Sequence, residues 1–460
     1  MPFILKKYYP VRNVLFFLGE GILIFCAING VYILFSGMDI FRVEFLQNSA
    51  RAFIVTMVFQ LTLYFFDLYD LSRIRSFMDT ATRMLQAFGA GCIILAGVYY
   101  SFPQLSISST IFFSSYIAIC LALTAWRTLY YLILKKRLFA QPILIIGTRE
   151  LATKITQEIE DNQDSGYRVA AFIGNKEPAY NPNKVPVVPL NTSLTDTCRE
   201  TQAENIVVAL NDRRGTMPIK SLLKCKLTGT AIHDGVTFYE SITGKILVKN
   251  VNPAWLIFSD GFQASRLSYF FKRILDIFLS LFGLIVSLPV TLPIAILIKL
   301  ESPGQVFYRQ KRVGEHGTPF MIIKFRSMRQ DAEKDGAVWA LENDTRITRT
   351  GSVIRKLRID EIPQMWNVLK GEMSFVGPRP ERPVFVKKLT ENIPYYSLRH
   401  SVKPGISGWA QVCYPYGASE EDALRKLEYD LYYIKNQSIF IDMLVIFRTI
   451  KTVLFRKGSR

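Results

Sequence analysis

Residues Ile274–Leu300 read ILDIFLSLFGLIVSLPVTLPIAILIKL, an apolar run long enough to cross a bilayer. Two features point away from a crossing. Pro289 and Pro293 fall in its second half, where each removes a helix hydrogen bond and bends the chain. Basic residues also flank both ends, Lys272 and Arg273 before the run and Lys299, Arg309, Lys311 and Arg312 after it. Cationic flanks on both sides favour a segment that enters the membrane and returns to the face it left. A re-entrant helix over 274–300 is therefore expected, with Pro289 as its structural kink. A kinked complete span is the alternative.

Four more apolar stretches, 13–35, 51–68, 84–102 and 110–134, crowd the first third of the chain. Each approaches the ~20 residues that a membrane helix needs. One alone reads as a buried soluble helix; four in succession read as a transmembrane bundle over 1–140. Lys6, Lys7 and Arg12 precede the first stretch, Arg73, Arg75 and Arg83 separate the second from the third, and Lys135, Lys136 and Arg137 follow the fourth. The loop 103–109 has no charge and 36–50 carries Arg42 as its one basic residue. Both ends of the bundle are therefore expected in the cytoplasm. The basic start, Met1–Arg12, leads into a long apolar run without a cleavage site and reads as an anchor.

Residues 141–262 change character. The apolar runs Pro142–Gly147, Val169–Ile173 and Ile206–Leu210 alternate with polar helical segments, the pattern of a parallel α/β unit. The first run ends in Gly147-Thr-Arg-Glu-Leu-Ala152. A dinucleotide-binding turn needs glycine where Arg149 stands, because backbone must approach the pyrophosphate there. A degenerate Rossmann-like domain with a structural or regulatory role is expected, rather than an NAD site.

Composition sets limits on the rest. The 460 residues are 50% hydrophobic yet 20% charged, so the membrane part covers a fraction of the length. Mean hydropathy is +0.19, the formal net charge +18 and the pI near 9.5. From Arg266 to Arg460 there are 31 Lys/Arg against 19 Asp/Glu, a net +12. That balance suits anionic lipid or phosphorylated substrates. No basic tract with interleaved aromatics occurs, so nucleic acid is not an expected partner. Six scattered cysteines without a CxxC pair, and three histidines, argue against a disulfide framework or a zinc site.

Three basic or acidic motifs in 266–460 carry chemistry. Lys324-Phe-Arg-Ser-Met328 follows an apolar strand-like run, and Gly377-Pro-Arg-Pro380 is a rigid turn that fixes Arg379. A guanidinium held in place grips phosphate through two parallel hydrogen bonds. Asp360-Glu361 lies within Arg355-Lys-Leu-Arg-Ile-Asp-Glu-Ile-Pro-Gln-Met-Trp-Asn-Val-Leu-Lys-Gly-Glu-Met373. Adjacent carboxylates usually decorate a solvated helix. Here Arg355 and Arg358 lie about a turn upstream, and cations at that range keep a carboxylate ionised and collect phosphates. One carboxylate can then attack phosphorus, while its neighbour holds a metal or acts as a base.

In order along the chain, Lys272-Arg-Ile-Leu-Asp276, the proline-bearing apolar run, Lys324–Met328, Asp360-Glu361, Met373-Ser-Phe-Val-Gly-Pro-Arg-Pro380, Pro404-Gly-Ile-Ser-Gly-Trp-Ala-Gln411 and Tyr429-Asp-Leu-Tyr-Tyr-Ile-Lys435 resemble the bacterial sugar transferase family. The bundle and the degenerate α/β domain resemble its long members, and 221–262 resembles the branch of exosortase-associated exopolysaccharide loci. The resemblance implies a membrane α-helical bundle, a Rossmann-like α/β domain (141–262) and a mixed α/β monotopic catalytic domain (266–460) with a re-entrant helix. It also implies a bacterial inner-membrane enzyme, catalytic on the cytoplasmic face, that moves hexose 1-phosphate from a UDP-sugar to undecaprenyl phosphate. The sugar leans to glucose or galactose, and long members imply a homodimer. Asp360 would be the nucleophile, Glu361 would help deprotonate the acceptor, and Lys324, Arg326, Arg355 and Arg379 would bind phosphate. Mg2+ is the implied cofactor, with Asp360 as its ligand. Short members carry Ser-Pro at the kink, where this chain has Leu288-Pro289 with Ser287 one place earlier.

Two other readings compete. A membrane-bound nucleotide-sugar dehydratase or epimerase needs an intact glycine turn and a Tyr-x-x-x-Lys pair; Arg149 stands against the first, and no such pair is expected in 142–260. A lipid-gripping scaffold needs no Asp-Glu pair among such motifs.

Overall fold

The computed structural model describes residues 11–70, 77–135, 137, 140–162, 165–210, 217–251, 253–262, 265–329, 345–415, 417 and 419–454. The chain divides into two compact units, residues 1–243 and 244–460. Lys6, Lys7, Arg73, Arg75 and Lys136, on which the expected orientation partly rests, lie outside the described residues.

The first unit opens with helices α1 (Val11–Ser36), α2 (Met38–Val43), α3 (Phe45–Phe65), α4 (Phe77–Ser101) and α5 (Ser109–Lys135). Among the described residues, the helices long and apolar enough to cross a membrane are Val14–Ser36, Met78–Ser101, Ser109–Ile133 and Arg266–Glu301. The second expected stretch, 51–68, falls on α3, which packs against both α1 and α4. Its apolar character is diluted because its buried face carries Asn48, Thr56, Gln60 and Thr62. Gln60 Nε2 donates to the Phe17 carbonyl at 2.8 Å, which ties α3 to α1. Arg127 Nη2 on α5 donates to Glu20 Oε2 on α1 at 2.9 Å. The buried Glu20 thus has a cationic partner, as a charge inside an apolar helix bundle requires.

The same unit continues as β1 (Gln141–Ile146), α6 (Glu150–Asp161), β2 (Tyr167–Ile173), β3 (Val187–Val188), α7 (Leu194–Thr201), β4 (Asn205–Val208), α8 (Ile219–Leu227), β5 (Ala231–Asp234) and α9 (Gly235–Thr243). The strands pair in parallel in the order β3-β2-β1-β4-β5, a Rossmann-like half, as the alternating runs imply. Gly147 turns the chain off β1 at φ +115°, and a Cβ there would lie 2.6 Å from the Ala209 carbonyl oxygen. Only glycine fits that turn without strain. Tyr180 and Lys184 do have Tyr-x-x-x-Lys spacing, but they lie in the irregular segment between β2 and β3. No helix presents the two side chains together, so the dehydratase reading finds no support.

The second unit comprises α10 (Pro253–Phe258), α11 (Arg266–Glu301), the antiparallel hairpin β6 (Phe307–Val313) and β7 (Pro319–Phe325), α12 (Arg349–Lys356), α13 (Gln364–Lys370), β8 (Ser374–Val376), α14 (Pro383–Asn392), β9 (Gly405–Ser407), α15 (Trp409–Cys413), α16 (Glu420–Lys435) and α17 (Ile439–Leu454). Residues 244–262, expected with the α/β domain, fall in this second unit. Trp409 Nε1 donates to the Gly244 carbonyl at 2.9 Å, Ile246 N to the Glu428 carbonyl at 3.0 Å, and Lys435 Nζ sits 4.2 Å from the Trp255 ring centre. These contacts bind 244–262 to α15 and α16.

Helix α11 runs continuously through Pro289 and Pro293. Proline removes one hydrogen bond without ending the pattern when neighbouring turns hold. Ser287 Oγ donates to the Leu284 carbonyl at 3.0 Å within that stretch. Near its N-terminus, Lys272 Nζ reaches Asp442 Oδ2 (2.8 Å) and Asp276 Oδ1 accepts from Phe375 N (2.9 Å). Near its C-terminus, Ile298 packs with Phe325 and Ile354. Both ends of α11 are thus anchored in one folded unit, while Leu281, Phe282, Ile285, Val286, Leu292 and Ile296 between them stay exposed.

Candidate active site

The carboxylates of the Asp360-Glu361 pair are brought inward by a sharp turn. Helix α12 ends at Lys356, Arg358 adopts a left-handed conformation at φ 57°, and a single 3-10 turn, Ile359–Glu361, follows. Both carboxylates are 8% exposed, which sets aside the solvated-helix alternative. Glu361 Oε1 is the hub of an ionic cluster, with Arg379 Nη2 at 2.7 Å, Lys324 Nζ at 2.9 Å and Arg358 Nη1 at 3.8 Å. Lys324 arrives from the end of β7, and Arg379 from the turn after β8. The sequence motifs, dispersed over 56 positions from Lys324 to Arg379, converge on one carboxylate oxygen.

The two carboxylates are electrically unlike. Burial pushes the Asp360 carboxyl above its usual range and the Glu361 charge adds to this, against the pull of Lys324, Arg355 and Arg379. Burial acts on Glu361 in the same sense, but Arg379, Lys324 and Arg358 outweigh it and hold that carboxyl well below its usual range. Burial lowers Lys324, partly offset by Glu361. Raised proton affinity makes Asp360 the better nucleophile of the two, and Glu361 the weaker base.

A cavity of about 1420 Å3 opens over Asp360. Its wall runs from Leu292, Ile296, Leu300 and Phe307, past Lys324, Arg355, Asp360 and Arg379, to Gln411, Tyr414 and Lys426. Single small-molecule sites occupy roughly 300–1,000 Å3, so there is room here for two ligands. Among the described residues, Arg355 Nη1, Arg312 Nε and Arg399 Nε belong to lining residues and are buried without a hydrogen-bond partner. Buried donors of this kind await an acceptor, and anions are the acceptors that arginine selects.

Arg326, expected to bind phosphate, also lines the cavity, and its Nε has no hydrogen-bond partner among the described residues, while its terminal nitrogens are held by the main chain. Its Nη1 donates to the Pro303 carbonyl (2.9 Å), and its Nη2 to the carbonyls of Ser302 (2.7 Å) and Ile298 (3.2 Å). The guanidinium caps the C-terminal end of α11, where a helix leaves carbonyls unpaired and favours a cation. Pro289 lies along α11 rather than in the site. Arg312, Arg399 and Lys426 line the cavity but were not singled out from the sequence as phosphate binders. Arg312 sits on a strand of alternating exposure, and a strand alternation count is the signal that would have turned it inward.

A family model described as bacterial sugar transferase matches residues 267–456, and one described as a CoA-binding domain matches 64–225. The chain is 45% identical over 239 residues to a UDP-N-acetylgalactosamine-undecaprenyl-phosphate N-acetylgalactosaminephosphotransferase of Aeromonas hydrophila, covering 52% of this chain and 56% of that one. It therefore spans little more than half of that relative. A putative undecaprenyl-phosphate N-acetylgalactosaminyl 1-phosphate transferase of Bacillus subtilis is 55% identical over 128 residues, 28% of this chain and 72% of that one. A UDP-glucose:undecaprenyl-phosphate glucose-1-phosphate transferase of Klebsiella pneumoniae is 29% identical over 432 residues, 90% of each chain. With its motifs gathered around one buried carboxylate pair and its second unit matched almost end to end, the chain belongs to the bacterial sugar transferase family.

Proposed function

We propose that the protein transfers a sugar 1-phosphate from a UDP-sugar to undecaprenyl phosphate, releasing UMP, on the cytoplasmic face of the bacterial inner membrane. The observation that carries this reading is Asp360, buried beside Lys324, Arg355 and Arg379 in a cavity whose wall continues onto the apolar side of α11. The polar end suits a nucleotide diphosphate, and the apolar wall suits a prenyl chain.

In the first step an Asp360 carboxylate oxygen bonds to the β-phosphorus of the UDP-sugar. The bond from that phosphorus to the bridging oxygen breaks, and UMP leaves with the electron pair. In the second step a phosphate oxygen of undecaprenyl phosphate attacks the same phosphorus. The acyl-phosphate bond breaks, the carboxylate is restored and the product is the undecaprenyl diphosphate sugar. Splitting one displacement into two is the usual gain of covalent catalysis. Arg379, Lys324 and Arg355 stabilise charge on the phosphoryl oxygens. Glu361 holds Lys324 and Arg379 in place; for it to take the acceptor proton, as the family resemblance implies, those cations must first move onto the phosphates. Among the described residues no three His, Cys, Asp or Glu side chains gather as a metal cage. Mg2+ typically uses one or two carboxylates plus substrate phosphates, so Asp360 fits as its one protein ligand; when bound it neutralises phosphate charge.

The test is UMP release by the purified full chain in nanodiscs. Sustained release that depends on undecaprenyl phosphate is expected with one donor among UDP-glucose, UDP-galactose and their N-acetylated amino forms. The higher identities to N-acetylgalactosamine transferases favour UDP-N-acetylgalactosamine over the glucose or galactose expectation. No release with any donor would overturn the proposal. Arg379→Lys should lower kcat/KM about 10- to 100-fold in this assay, because an ammonium cannot replace a two-pronged grip. An unchanged value would make Arg379 a turn residue only.

Anchoring of both ends of α11 in one unit supports the re-entrant reading, which keeps Asp360 with the cytoplasmic nucleotide sugar. Exposed Thr318 and Ser401 report on it. In spheroplasts, Thr318→Cys and Ser401→Cys in a cysteine-free background should resist a membrane-impermeant maleimide until permeabilised. Labelling without permeabilisation means a complete span.

A further inference from the structure

The turn that carries Arg379 is held by its own carbonyls. Val376 O accepts from Lys272 Nζ at 3.0 Å, Pro378 O from Gly405 N at 2.9 Å, Pro380 O from Arg312 Nη1 at 3.1 Å and Glu381 O from Val313 N at 3.0 Å. Gly377 is needed for this approach, since a Cβ there would lie 2.4 Å from the Lys403 carbonyl oxygen. The carbonyl of Arg379 itself accepts from Arg399 Nη2 at 3.0 Å. Arg399 is 6% exposed and doubly fixed, through Nη2 to Asp430 Oδ2 at 2.8 Å and through Nη1 to the Tyr396 hydroxyl. A rigid buried cation is thus locked to a buried carboxylate on α16, and one of its protons is spent on the main chain of the phosphate-gripping residue.

We propose that Arg399, anchored by Asp430, is a positioning residue that aims the Arg379 guanidinium at the phosphates. This rests on the function proposed above. Two alternatives are weaker. As a direct phosphate ligand, Arg399 would have to act through Nε and the second Nη1 hydrogen, because Nη2 is committed to Asp430 and the Arg379 carbonyl and Nη1 already donates to Tyr396. As a stabilising ion pair only, it would need no bond to Arg379, and buried pairs contribute little net stability against well-packed apolar replacements. A guanidinium bidentate on phosphate tolerates little error in its base, so a small shift of the 377–380 turn costs grip without removing a single contacting atom.

A double-mutant cycle separates these roles. Arg399→Met with Asp430→Leu removes both charges together and leaves neither stranded. In the wild-type background this pair should lower kcat/KM for UMP release about 30-fold, a coupling of the size that contacting residues show. In an Arg379→Ala background the same pair should cost less than about twofold, since no guanidinium remains to be aimed. An equal loss in both backgrounds would overturn the proposal, because Arg399 would then act independently of Arg379. So would unchanged activity in the wild-type background. If the pair does not fold, Arg399→Lys, which keeps the charge beside Asp430, enters the same cycle with the same expectations. The cycle is repeated on the affinity for UDP by calorimetry, which needs no turnover. A chain that binds UDP but transfers nothing would sink the transfer reading and leave the positioning role readable.

Discussion

Asp360→Asn is expected to abolish turnover, by at least about 10^3-fold, and to leave the protein folded and no less stable at neutral pH. An amide oxygen does not displace UMP from phosphorus, and the adjacent Glu361 is occupied by three cations. The stability half of the expectation comes from proton linkage. Burial and the Glu361 charge raise the Asp360 carboxyl in the folded chain above its unfolded range. A group that binds its proton more tightly when folded costs stability once the pH exceeds its unfolded pKa. Removing that charge lifts the cost. Near-normal UMP release by Asp360→Asn would end the covalent account.

Glu361→Gln should act in the opposite direction on stability while also crippling the enzyme. The folded chain holds this carboxyl well below its usual range, against the effect of burial, through Arg379, Lys324 and Arg358. Its contribution is therefore present above the unfolded pKa and lost as pH falls through the folded one. The amide removes the charge that balances three cations, one of which, Lys324, burial already disfavours. Breaking a buried pair costs 3–5 kcal/mol. About 3 kcal/mol is expected here, since the Arg379 side chain is 32% exposed and water screens part of the loss. Turnover should fall at least about 100-fold as Lys324 and Arg379 lose their anchor. Thermal midpoints of the two variants at pH 7 give the comparison: Asp360→Asn at or above wild type, Glu361→Gln several degrees below. Equal midpoints would mean that the two carboxylates are not electrically distinct.

Much of this site is legible in the sequence, because its residues sit in motifs whose composition is odd for where they lie. An Asp-Glu pair among apolar and basic residues, and an arginine between two prolines, announce themselves. β1, β2 and β4 are legible for a similar reason, as continuous apolar runs of a two-sided buried sheet. β3, two residues long, and β5, which ends in His233 and Asp234, have no such run. Arg326 has a second attachment that its motif does not show, since its terminal nitrogens bond the end of a helix about two dozen residues earlier. Arg399 is silent for the complementary reason: its significance is a bond to the carbonyl of residue 379, which no local pattern encodes. The domain edge at 243/244 is set by contacts with Trp409, Glu428 and Lys435, far along the chain.

In the proposed mechanism Asp360 carries the phosphosugar between two substrates. Intact-protein mass spectrometry after brief exposure of the full chain to the active UDP-sugar, with no undecaprenyl phosphate present, tests it most directly. The account predicts a single added mass equal to one sugar phosphate, mapped to Asp360, absent from Asp360→Asn and discharged when undecaprenyl phosphate is added. A wild-type chain that turns over with both substrates but never gains that mass, under quenching that preserves acyl phosphates, would contradict it.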